Sequence, residues 1–296
     1  MREARRRLIK CGRASSAAVE PGRELEVSTL AKEKMCRLMT EELVRMESPE
    51  RMDTRATKSA VKRCYARMDR MDELALWTCE CGRYLGRIKC SCDRSRPTSH
   101  LLGSTAVTAV VGPHRLMVAN CGDSRAVLSR AGVAIPMSFD HKPDRPNEMA
   151  RIRSAGGWVL YLNGARVCGI LAMSRALGDM SLKPVVISEP EIRIMDRNPK
   201  DECLVIASDG LWDVMSNATA CNLARRVLQD GDPDGDEEHN KDKGKGSSDS
   251  AKEKKKEYPS QSQCDLAAAL LARLALARNS EDNISVIVVD LRKEMA

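Results

Sequence analysis

Between Gly103 and Ser138 the sequence carries the two-residue period of β-structure, and no other stretch constrains the fold as much. Thr105 to Val111, then Gly112-Pro113-His114, then Arg115 to Cys121, reads as strand, turn, strand. Gly122-Asp123-Ser124 turns into Ala126-Val127-Leu128, and Ala131-Gly132 turns into Val133 to Met137. The expectation is an antiparallel meander with Asp123 at one corner. Sequence leaves Asp123 open as a turn residue or as a ligand.

A second β signal, Leu204-Val205-Ile206-Ala207, is short and apolar and empties onto Ser208-Asp209-Gly210-Leu211-Trp212-Asp213. Two carboxylates at the end of a buried strand suit a hard cation such as Mg²⁺ or Mn²⁺; the plainer reading is an Asp-Gly turn with Asp213 as a cap. Ser280-Glu281-Asp282-Asn283 leads into a last strand, Ile284 to Leu291, so Asp282 also precedes a buried strand. Oxygen-only donors favour Mg²⁺ or Mn²⁺ over zinc, and an ion that keeps its waters can serve phosphate-ester hydrolysis.

Helices are predicted from Ser28 to about Met46, with Leu30, Leu38 and Leu43 inward, and from about 56 to 76, with Val61, Cys64, Met68 and Met71 on one stripe. Phe139 is the only phenylalanine, so methionine and cysteine on that stripe are read as core filler. Asn147 is expected to cap a helix through Ser154 closed by Gly156-Gly157, with strand-like sequence after it around Trp158 to Leu162. Ser216 caps a helix with Leu223 and Val227 inward, and Cys264 to Ala277 forms an Ala/Leu-rich core helix. His141 is read as a structural loop histidine, since no nucleophile has a defensible spacing to it.

Residues 1–27 lack periodicity and are expected to be disordered. Residues 28–296 form one domain, with a disordered polar insertion at about 229–262. The acids Asp230, Asp232 and Asp234 imitate a calcium loop, but Lys241 stands where its bidentate glutamate belongs. Cys79-Glu80-Cys81 and Cys90-Ser91-Cys92 are either a zinc site or a cysteine-rich loop.

The formal charge of +7 is partly tail charge, from Arg5-Arg6-Arg7 and Lys254-Lys255-Lys256, without a nucleic-acid-binding motif. Neither nucleic acid nor membrane is an expected partner, because Leu266 to Ala277 is too short to span and carries Arg273. Met1 to Lys10 leads into no apolar stretch, and 12 cysteines then imply reduced thiols inside a cell. A nuclear or cytoplasmic monomer is the expectation.

GSTAVTAVV, VANCGDSRAVL, DHKPDRPNEMARIRSAGG, RVCGILAMSRALGD, SDGLWDVMSN and DNISVIVVDL together resemble the type 2C, metal-dependent serine/threonine protein phosphatases. Their wording is closest to the plant clade that acts with abscisic-acid receptors. The resemblance implies an α+β fold, an α-β-β-α sandwich of two antiparallel sheets flanked by helices, with two Mg²⁺ or Mn²⁺ ions at one end. It implies Asp209 and Asp282 as metal ligands, with Asp123 and Asp213 serving, beside Asp209, an additional metal site. Gly178-Asp179 matches a motif beside the region that packs over the active site. Phosphorylated proteins are the implied substrates, and protein kinases implied partners.

The family's early Arg and Glu-Asp pair and its Asp-Gly-His-Gly-Gly motif are not found here, so no catalytic residue is assigned and N-terminal strands are expected to be lacking. A weak or inactive phosphatase-like module that docks kinases or receptors is therefore the alternative expectation. Where that clade has a receptor-contacting tryptophan this chain has Leu162, which lacks an N–H donor.

Overall fold

The computed structural model describes residues 15–17, 24–45, 54–76, 103–230 and 263–292. The Cys79–Cys92 cluster and residues 231–262, with Lys241 and most of the calcium-like acids, lie outside them, as do the side chains of Leu30 and Met71.

Two antiparallel sheets face each other. The first has the order β1 (Ser15–Ala17), β12 (Ile284–Asp290), β11 (Asp201–Ala207), β5 (Arg125–Arg130), β6 (Val133–Pro136). The second has the order β10 (Glu191–Asp196), β4 (Arg115–Cys121), β3 (Ala106–Val111). Strand alternation builds the layers. On β11, Leu204 and Ile206 point between the sheets, while Cys203, Val205 and Ala207 point outward. On β4, Leu116 and Val118 point between the sheets, while Met117, Ala119 and Cys121 point outward. Side chains two apart share a face, so each strand serves two cores.

Helices close the outer faces. α1 (Glu24–Val44) and α2 (Thr54–Leu76) cover the second sheet with Leu38, Leu43, Val61, Cys64 and Met68, all buried. Tyr65, fully buried, reaches the backbone of both β3 and β4, its hydroxyl donating to the Ala119 carbonyl at 2.9 Å. On the first sheet, α5 (Asn217–Asp230) packs Ala220, Cys221, Ala224 and Leu228. α6 (Gln263–Ala277) adds Ala267, Leu271 and Ala275. The expected inward residues of α5, Leu223 and Val227, lie half-buried at the edge of that core, and Ser216 Oγ caps it by accepting the Thr219 N–H at 3.2 Å. The α-β-β-α sandwich expected from the resemblance is thus the observed architecture. Burial pushes the thiols of Cys64, Cys121 and Cys221 up to about 12, which makes them inert filler. No described helix is long and apolar enough to cross a membrane.

Three expectations need correction. The meander is not one sheet: β3 and β4 pair in the second sheet, β5 and β6 in the first, and Gly122-Asp123-Ser124 is the crossing between them. The crossing buries the inter-sheet faces of β4 and β5 against each other, which a continuous meander would leave apart. Helix α3 (Pro146–Ser154) has Arg145, not Asn147, at its N-cap, because Pro146 at the first helical position has its φ preset and no N–H to satisfy. Its predicted end holds, with Gly156 at φ +82° and Gly157 N–H returning to the Ile152 carbonyl at 2.9 Å. Residues 1–27 hold a strand after all, β1, paired with the outer edge of β12, and α1 begins at Glu24 rather than Ser28. The edge of β12 would otherwise leave a row of N–H and C=O groups without ladder partners.

A smaller layer lies beside the sandwich. The hairpin β7 (Val159–Tyr161) and β8 (Ala165–Val167) packs with α3 through Ile152, Val167 and Ala176. It leaves Trp158, Tyr161 and Leu162 exposed. β2 (Gly103–Ser104) pairs with β9 (Leu177–Gly178), which places Gly178-Asp179 beside the start of β3.

Candidate metal centre

Three strands deliver acids to one end of the sandwich. β11 runs out at Ala207, opposite Val286 of β12 on one side and Arg125 of β5 on the other. Antiparallel pairing therefore brings the end of β11 beside the beginnings of β12 and β5. Asp209 follows β11, Asp282 precedes β12, and Asp123 precedes β5. Asp213 joins them because α4 (Asp209–Trp212) is a single turn, closed by the Asp213 N–H on the Asp209 carbonyl at 2.9 Å. Trp212 pins that turn to the sheet, its indole N–H shared between the Ala207 carbonyl at 3.0 Å and the Arg125 carbonyl at 3.2 Å.

The loops carrying Asp209 and Asp282 are laced together. Ser208 Oγ donates to the Asn283 carbonyl at 2.8 Å and accepts the Ser285 N–H at 3.0 Å, and Ser280 Oγ donates to the Gly210 carbonyl at 2.6 Å. Gly210 permits the approach, since a Cβ there would lie 2.6 Å from the Asn283 carbonyl oxygen.

The charges follow from this packing. Burial raises the Asp209 carboxyl first, then Asp123 and Asp282 add to it, against the Lys142 ammonium; the result is about 7. Asp123 is buried, and Lys142 Nζ donates to its Oδ2 at 2.6 Å. Asp213 and Asp282 are exposed. An oxygen-only set with a carboxylate held this far above its ordinary range fits a hard dication in kind and in charge, because the ion would relieve the repulsion. The set is incomplete in number: among the described residues no three His, Cys, Asp or Glu side chains form a ready-made ion cage.

Lys142 and the scaffold behind it are not marked as a site by their local sequence. His141 clamps the sheet crossing: its backbone N–H donates to the Gly122 carbonyl at 3.1 Å, and its Nδ1 lies 3.1 Å from the Gly122 nitrogen and 2.9 Å from the Gly122 carbonyl oxygen, bonding one or the other according to its tautomer. Nε2 is buried 3.3 Å from Glu191 Oε2 without a hydrogen bond to it. Gly122 itself sits at φ +116°, with Thr105 Cγ2 2.5 Å from where a Cβ would be. Ser174 donates its N–H to the His141 carbonyl at 2.7 Å, which leaves its hydroxyl proton for Glu148. Behind it Glu148, also buried, gathers Arg151, Ser174 and Arg175. The one cue in the sequence was the density of charge in DHKPDRPNEMARIR.

Burial lowers the His141 imidazole first, the Arg175 guanidinium adds to it, and the result is about 4. A histidine held neutral by the fold stabilises it fully above the ordinary value of 6.5, and that contribution is lost as pH falls through about 4. The expected loss is on the order of 3 kcal/mol. Urea midpoints at pH 7, 5.5 and 4.5 should fall more steeply for the native chain than for His141→Asn.

The fold recurs in solved structures. A serine-threonine phosphatase 2C from Toxoplasma gondii superposes with a TM-score of 0.61 at 22% identity, covering 88% of this chain and 80% of that one. A C. elegans sex determining protein gives 0.66 at 21% identity, covering 92% of this chain and 54% of that one. The class is therefore the α+β sandwich of these proteins. Residues 88–284 match the family profile described as protein phosphatase 2C, and the chain belongs to that metal-dependent family. Among curated relatives, protein phosphatase 2C 37 of Arabidopsis thaliana is 52% identical over 204 residues, 69% of this chain and 46% of the relative. Probable protein phosphatase 2C 24 of the same plant is 46% identical over 267 residues, 90% of this chain and 66% of the relative. The chain thus spans between 46% and 66% of the length of these two relatives.

Proposed function

We infer that this chain is a Mg²⁺- or Mn²⁺-dependent protein phosphatase acting on phosphoserine and phosphothreonine. The observation that carries the reading is the convergence of Asp123, Asp209, Asp213 and Asp282 on one sheet end, with Asp209 pushed up to about 7. Asp209 and Asp282 would hold the principal ions, with Asp123 and Asp213 contributing beside Asp209. When bound, such an ion supplies a water of lowered pKa and polarises the phosphoryl oxygens.

The chain's own residues supply position and charge. The Ser208 and Ser280 hydrogen bonds fix the spacing of the two metal-facing loops, and Trp212 fixes the turn that presents Asp209 with Asp213. The His141 clamp fixes Asp123 through the neighbouring Gly122. Substrates are proposed to be phosphorylated proteins, protein kinases among them, and the resemblance supports a place in abscisic-acid signalling. Leu162 stands exposed on the β7–β8 hairpin without an N–H donor, which argues against strong receptor contact there.

The test is hydrolysis of a phosphothreonine peptide by the purified chain, with Mn²⁺, Mg²⁺ or chelator, beside Asp209→Ala. Metal-dependent turnover that falls by at least about a hundredfold in the variant is expected, the loss of a several-kcal/mol charge stabilisation. A folded chain without turnover under any of these conditions would refute catalysis and leave a docking role.

A further inference from the structure

The acidic end already contains a cation of its own. Lys142 Nζ lies 2.6 Å from Oδ2 of Asp123, whose side chain is 3% exposed against 38% for the lysine. This is not a surface lysine meeting an acid by chance. The adjacent residue, His141, is bonded to the residue preceding Asp123, so two successive cross-links, His141–Gly122 and Lys142–Asp123, join the loop to the sheet crossing.

An ammonium and a dication cannot both sit close to one carboxylate without repelling each other, and in a half-buried site that repulsion is poorly screened. The geometry points to Lys142 as a resident counter-cation: it neutralises Asp123 in the metal-free protein and competes with the dication for that carboxylate, setting the affinity of the centre. The inference rests on the metal-dependent reading of the preceding section. It makes Lys142 a positioning residue for Asp123, with no contact to substrate required.

The experiment uses the metal-stripped chain and Mn²⁺ itself, with binding followed by loss of the free-ion EPR signal and stability by thermal unfolding. Lys142→Met removes the charge and keeps most of the packing. It should bind Mn²⁺ about tenfold more tightly than the native chain, melt lower without metal, and gain more in Tm when Mn²⁺ is added. In an Asp123→Asn background the same substitution should change affinity less than about twofold, because the shared carboxylate is gone. Equal or weaker Mn²⁺ binding by folded Lys142→Met, or an equal gain in both backgrounds, overturns the proposal. If Lys142→Met does not fold without metal, Lys142→Gln, which keeps an N–H towards Asp123, is held to the same criteria. A native chain that takes up Mn²⁺ while these variants bind no tighter refutes only the role of Lys142. A native chain and variants that all fail to bind Mn²⁺ refute the metal-dependent reading as well.

Discussion

Glu148→Ala should cost about 3–5 kcal/mol of stability, the penalty for leaving buried charges without their partner. Glu148 is 1% exposed. Its Oε1 accepts Arg175 at 2.5 Å, and its Oε2 accepts Arg151 at 2.9 Å and Ser174 Oγ at 2.8 Å. Burial alone would raise this carboxyl, but Arg175, Ser174 and Arg151 hold it down at about 2. Removing the carboxylate leaves two guanidinium groups facing each other in a space that solvent reaches poorly. Arg175 and Arg151 side chains are only 13% and 23% exposed. The native carboxylate stabilises the fold fully above its ordinary value of 4.5, and that contribution disappears as pH falls through about 2. The variant should therefore lose its disadvantage only in strong acid. Urea unfolding followed by tryptophan fluorescence at pH 7 measures the gap. A cost below about 1 kcal/mol, the range of exposed ion pairs, would show that Glu148 is not the hub of this layer. Because Ser174 links Glu148 to the His141 carbonyl, folded variants of this hub should also bind Mn²⁺ less tightly.

Gly210→Ala should act at the metal centre more directly. The added Cβ would lie 2.6 Å from the Asn283 carbonyl oxygen, 3.1 Å from its carbon and 3.2 Å from the Asp282 carbonyl oxygen. These are backbone atoms at the head of β12, and the Asn283 carbonyl already accepts Ser208 Oγ, so no side chain can swing aside. The turn carrying Asp209 must move away from Asp282, or β12 must shift its pairing with β11. The expected cost is about 2–3 kcal/mol from overpacking. Mn²⁺ affinity should drop tenfold or more, since the spacing between the two acids changes. Thermal unfolding and Mn²⁺ titration of the same sample separate the two effects. Unchanged Tm and unchanged Mn²⁺ binding would mean that the two loops are not locked to each other as described.

Neither effect is visible in the sequence without the fold. Gly210 reads as the hinge of an Asp-Gly turn, which accounts for its presence but not for the backbone it faces. Glu148 reads as an ordinary first-turn acid of a helix, and its partners Ser174 and Arg175 lie 26 and 27 residues further on. Arg151, three residues away, is the only partner with a local cue.

What the sequence determined by itself was local. Period-two runs marked β3 to β6, continuous apolar runs marked the core strands β11 and β12, and period-3.6 stripes placed Leu38, Val61, Cys64 and Met68 inward on helices. Strand-end acids marked Asp209, Asp282 and Asp123, because a carboxylate following a buried strand is conspicuous in any register. Tertiary structure decided which strands share a sheet. The turn at Gly122-Asp123-Ser124 has the same appearance whether β5 pairs with β4 or leaves for the other sheet. The choice depends on burying Leu116, Val118, Ala126 and Leu128 in a common layer with Leu204 and Ile206. That layer is made by residues up to about ninety positions apart, and its closure carries Asp123 to Asp209 and places Lys142 against it. The acids were legible one at a time; their convergence, and the ammonium among them, follows from hydrophobic burial between two sheets.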